Sequence, residues 1–77
     1  MPTIFVKNGF RFFFYSNEHR PIHVHVRRGG GEAVFDVEGE IALRESAGFK
    51  TQELKEAEDL AVEHQQLIVR AWHEHIG

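Results

Sequence analysis

The dipeptide Asn8-Gly9 constrains this chain more than any other feature. It stands between TIFVK and FRFFFY, two runs of β-branched and aromatic residues. A two-residue loop with positive φ at both positions suits Asn and Gly far better than other residues, and its twist matches that of paired antiparallel strands. The segment predicts a β-hairpin over residues 3–15. Because side chains alternate along a strand, Phe10, Phe12 and Phe14 fall on one face and Arg11, Phe13 and Tyr15 on the other. The all-Phe face is the natural core face.

The alternation continues. In IHVHVRR (22–28), Ile22, Val24 and Val26 point one way and His23, His25 and Arg27 the other. Gly29-Gly30-Gly31 predicts a second tight turn through positive φ, and EAVFDV (32–37) returns as a fourth strand. Glu38-Gly39-Glu40 breaks the pattern, and IALRE (41–45) reads as a short fifth strand or an extended connection. Thr51 is the expected N-cap of a helix that nothing interrupts before His75. Leu54, Ala57, Ala61, His64, Ile68, Ala71 and His75 form its apolar stripe. The fold class is therefore α+β: a small antiparallel sheet of four or five strands with one long C-terminal helix packed on one face. Residues 1–77 make a single domain, with the sheet in 1–45 and the helix in 51–75.

A core built from 77 residues supplies only ~3–5 kcal/mol, so a bound partner would add noticeably to stability. The absence of cysteine excludes disulfides, thiolate nucleophiles and zinc–thiolate sites. A net charge of −3 opposes non-specific nucleic-acid binding. Met1-Pro2-Thr3-Ile4 has none of the marks of a signal peptide, and no apolar run reaches the ~20 residues that span a bilayer. These features imply a soluble, cytoplasmic protein with no membrane partner.

Chemistry concentrates in EHRPIHVHVRR (18–28). His23 and His25 share a strand face about 6.5–7 Å apart, a spacing that can chelate one divalent metal ion. Two ligands are not enough. His19 is the nearest third candidate, with Glu18 and Asp36 as possible oxygen donors. The expected outer face of the sheet gathers Arg11, Phe13, Tyr15, His23, His25, Arg27 and Asp36. Aromatics interleaved with cations suit a protein interface or contact with RNA or DNA. In the helix, His64 and His75 lie about 16 Å apart along the axis and cannot share an ion. RRGGGE joins two strands and lacks the ending of a phosphate loop. No serine or threonine sits in a nucleophile elbow.

MPTIFVKNGFRFFFYSNEHRPIHVHVRRGGGEAVFDVE, followed by GFKTQELKEAEDLAVEHQQLIVRAWHEH, resembles a bacterial family of small proteins catalogued as domain of unknown function 4160. The pieces that carry the likeness are Met1-Pro2-Thr3-Ile4, FFFYSNE at 12–18, the Pro-then-His-x-His-Val block at 21–26, Gly48-Phe49, Glu53-Leu54 and Trp72. Family members commonly place two prolines directly before the first strand histidine, where this chain has Ile22 between Pro21 and His23. The resemblance implies a small α+β protein encoded beside another small protein, in pairs that look like toxin–antitoxin modules. It brings no established catalytic residues.

Three functional expectations follow. The first is a cytoplasmic interaction module of a toxin–antitoxin-like pair, binding a small partner protein or a second copy through the outer sheet face. The second is a metal-independent ribonuclease, with His23 and His25 or Tyr15 as general acid and base and Arg11 and Arg27 stabilising charge. The third is a divalent-metal protein using His19, His23 and His25. No other cofactor is expected.

Overall fold

A computed structural model describes residues 3–77; Met1 and Pro2, with the N-terminal reading that rests on them, lie outside the described residues. The chain forms β1 (Thr3–Lys7), β2 (Phe10–Phe13), β3 (His23–Arg28), β4 (Gly31–Asp36) and β5 (Ala42–Ala47), then α1 (Thr51–Glu63) and α2 (Gln65–His75). The strands make one antiparallel meander in the order β1-β2-β3-β4-β5. The α+β class and the five-strand sheet stand as expected, with the sheet reaching Ala47.

Asn8 and Gly9 take φ of 54° and 81°, as the β1–β2 turn demands. In the glycine triplet only Gly29 takes positive φ, at 59°, which corrects the expectation for the other two. Gly31 is required for another reason. A Cβ there would overlap the Phe49 ring, which rests on that backbone.

Phe10, Phe12, Phe14, Ile22, Val24 and Val26 form the sheet side of the core, meeting Ala57, Leu60, Ala61, Ile68 and Trp72 from the helices. This is the face that the alternation assigns. Arg28 joins the layers: its guanidinium lies 3.9 Å from the Phe10 ring centroid and 3.0 Å from Glu53 of α1.

The single long helix is corrected to two. His64 leaves helical geometry at φ −109°, ψ 19°. Its ring Nδ1 lies 2.9 Å from the Leu60 carbonyl that its own backbone N–H already uses, and the ring stacks on Phe5 at 4.3 Å. The next residue, Gln65, donates through Nε2 to the carbonyls of Val37 and Gly39 beyond β4. Two adjacent side chains thus tie the helical segment to different parts of the sheet, and the ladder breaks between them. The break re-phases the apolar stripe onto Ile68, Trp72 and Ile76, which leaves His75 exposed rather than on the stripe. The helix start is also corrected. Lys50, not Thr51, is the N-cap, and its N–H donates to Glu53 Oε1 at 2.7 Å. No described helix is long and apolar enough to cross a membrane.

Candidate metal centre

The site grows from the strand register. Phe13 of β2 pairs with His25 of β3, which pairs with Val34 of β4, so all three share the face opposite the core. One row along, Arg11 pairs with Arg27 and Arg27 with Glu32; two residues the other way, His23 pairs with Asp36. This is the outer face that the sequence implies, but it is not open. Phe13 is 1% exposed and His23 6%. Arg11 lies over the Phe13 ring at 4.6 Å, and Tyr15 meets that ring edge-on at 5.4 Å. Trp72 of α2 stands 5.3 Å from the His23 ring. The expectation that Phe13 and His23 face solvent is therefore corrected: neighbouring side chains and the segment 14–22 cover them.

That segment delivers a carboxylate. Glu18 Oε2 lies 2.6 Å from His25 Nε2 and 3.2 Å from His23 Nε2. Its side chain is only 12% exposed, so the chain between β2 and β3 turns one acidic group inward over two imidazoles. His23 Nδ1 lies 2.7 Å from the Pro21 carbonyl. A carbonyl only accepts, so Nδ1 carries the proton, and in the neutral ring Nε2 presents its lone pair toward Glu18. The His25 ring is fixed from three sides: Phe13 stacks on it at 5.5 Å, Tyr15 meets it edge-on at 4.6 Å, and His23 stands at 5.5 Å.

Among the described residues one group of three or more His, Cys, Asp or Glu side chains converges in this way: Glu18, His23 and His25, with one ligand atom from each lying within 4.8 Å of the others. The remaining expected site residues fall outside it. His19, adjacent to Glu18, is exposed and takes no part. Asp36 is bound to Arg44. Arg27 faces solvent, 3.7 Å from Glu32, and Arg11 donates to Thr3 Oγ1 at 3.1 Å. Tyr15 is 42% exposed beside the site. Trp72, which buries His23, is a contact that strand alternation could not reveal. A wide groove of about 650 Å³ lies elsewhere, floored by Ile22, Val37 and Val69, and contains none of the three converging residues.

Cysteine is absent from the chain, so two imidazole nitrogens and a carboxylate oxygen are the strongest donor set that converges among the described residues. That set suits a first-row divalent ion and leaves coordination positions for water or another ligand. No curated protein and no solved structure matches the chain. The model of one family, described as a domain of unknown function (DUF4160), matches residues 9–73 and so takes in all three converging side chains and Trp72. This small, single-sheet protein with its Glu-His-His cluster belongs to the DUF4160 family.

Proposed function

We propose that the protein binds a divalent transition-metal ion through Glu18 Oε2, His23 Nε2 and His25 Nε2. The observation that carries this reading is the commitment of His23 Nδ1 to the Pro21 carbonyl. It orients the ring and directs the Nε2 lone pair at the carboxylate oxygen that His25 also meets. A backbone carbonyl on the distal imidazole nitrogen is the usual outer partner of a metal-bound histidine. A lone pair facing a carboxylate is repulsive until a cation stands between them. Metal–ligand bonds of about 2.0–2.2 Å separate neighbouring ligand atoms by roughly 3.4 Å, close to the His23–Glu18 distance of 3.2 Å. The His25–Glu18 contact would open by about 1 Å to admit the ion.

Calorimetric titration of untagged protein with Zn²⁺ and Ni²⁺ tests the proposal. One-to-one binding is expected, lost in His25→Ala and strongly weakened in Glu18→Gln, while His19→Ala binds as the wild type does. Equal binding by wild type and His25→Ala would refute the site.

The same surface supports a second reading, an interaction module of a toxin–antitoxin-like pair. Tyr15 favours it: a large aromatic, 42% exposed, held against His25 and Phe13, has the character of an interface anchor. Loss of binding to the product of a neighbouring gene in Tyr15→Ala would support that reading. Undiminished binding in Tyr15→Ala would remove it. The ribonuclease reading draws less support, because both Nε2 atoms already face one carboxylate.

A further inference from the structure

We infer that the metal ion acts as the clasp of a strap: its occupancy decides whether residues 15–21 lie closed over the outer sheet face. The inference rests on the metal reading of Glu18, His23 and His25 and assigns that site a regulatory role.

The strap is anchored at both ends. Phe14 and Ile22 are buried in the core at 0% and 3% exposure. Between them, Tyr15, Ser16, Asn17, His19, Arg20 and Pro21 are all exposed, and Glu18 alone turns inward. Three further contacts hold the far side, one of them the His23 Nδ1 bond to the Pro21 carbonyl at 2.7 Å and two through Glu38. Arg20 meets it at 3.4 Å with both side chains about half exposed, and the Ile22 N–H donates to it at 3.0 Å. An exposed ion pair of this kind contributes little, and the Ile22 and Pro21 bonds lie at the anchored end. Closure of the middle of the strap therefore depends on what Glu18 meets.

Without an ion, and with both rings neutral, Glu18 accepts one hydrogen bond from His25 and faces the lone pair of His23. One charge-assisted hydrogen bond offsets the ordering of only about one or two residues, and the strap has seven. With an ion, the same carboxylate becomes one of three ligands, and opening the strap requires a metal–oxygen bond to break. The difference falls on one segment. The bound state fixes Tyr15 against His25 and keeps Phe13 and His23 covered. The open state releases Tyr15 and lifts the strap off both, leaving Arg11 over Phe13 and Trp72 beside His23. Metal occupancy thereby selects which aromatic surface the outer face presents.

Hydrogen exchange read by mass spectrometry on peptides spanning 14–22 tests this, with bound zinc quantified in the same samples. In wild type, saturating Zn²⁺ should slow exchange of the amides of residues 15–20 at least tenfold more than those of α1, and a chelator should reverse the change. Glu18→Gln, with a wild-type circular dichroism spectrum, should show fast strap exchange with or without Zn²⁺; His19→Ala should behave as wild type. Zinc bound with strap exchange unchanged, or slowed equally across sheet and helices, overturns the clasp and leaves the metal site standing. No zinc bound overturns the metal site and the clasp with it.

Discussion

Glu18 Oε2 and His25 Nε2 stand 2.6 Å apart, although they lie seven positions apart in the chain with a change of direction between them. The contact makes the segment after β2 part of the sheet's chemistry, and it brings the third donor to a pair of strand histidines.

A bound ion should therefore stabilise the fold by mass action. With Zn²⁺ at a hundredfold excess over its dissociation constant, the gain is about 2.7 kcal/mol. In a domain of this size that raises Tm by about 10 °C or more. Differential scanning fluorimetry should show this shift in wild type and His19→Ala, and less than half of it in Glu18→Gln at the same zinc concentration.

Phe13 is buried outside the main core, under Arg11 and Tyr15. Phe13→Ala should destabilise the protein by about 3 kcal/mol, as truncation of a packed aromatic does. Val6→Ala, at a position 61% exposed, should stay within about 0.5 kcal/mol of wild type. Urea denaturation separates the two. Similar values for both would mean that the outer face is not a packed surface.

Gly31→Ala should cost about 2 kcal/mol, because the new methyl must displace the Phe49 ring. The penalty should shrink when Phe49 is already Ala. Unfolding of the two single variants and the double variant should give a coupling of at least about 0.5 kcal/mol. Simple additivity would show that the overlap is relieved elsewhere.

Glu53 has a carboxyl held below the ordinary carboxylate range, first by the Lys50 N–H and then by the Arg28 guanidinium. A pKa lower in the folded than in the unfolded state stabilises above the unfolded value. That contribution is lost as pH falls through the folded value. Glu53→Gln should thus lower Tm at pH 7. The gap from wild type should narrow once pH drops below about 4, the ordinary carboxylate range. Thermal melts of both proteins from pH 7 to pH 3 check the sign.

The sheet was legible in the sequence because its causes are local. Asn8-Gly9 permits one kind of turn. The alternation of Phe10, Phe12 and Phe14, and of Ile22, Val24 and Val26, then assigns each side chain a face before any tertiary contact forms. The two histidines of the candidate site came with that alternation. The third donor did not. Glu18 and His19 are neighbours in a segment without period, and no local rule says which of them turns inward. That choice follows from where β2 ends and β3 begins, and from the space that Phe13 and Tyr15 leave beside His25. Arg11, Tyr15 and Trp72 likewise buried Phe13 and His23, through contacts that a one-strand pattern does not contain. The helix break has the same origin. Residues 51–75 have helical periodicity throughout, and only Phe5 and the carbonyls of Val37 and Gly39, distant in sequence, pull His64 and Gln65 out of one axis. Local sterics and periodicity set the strands and their faces; long-range packing selected the carboxylate that completes the site and the residue at which the helix divides.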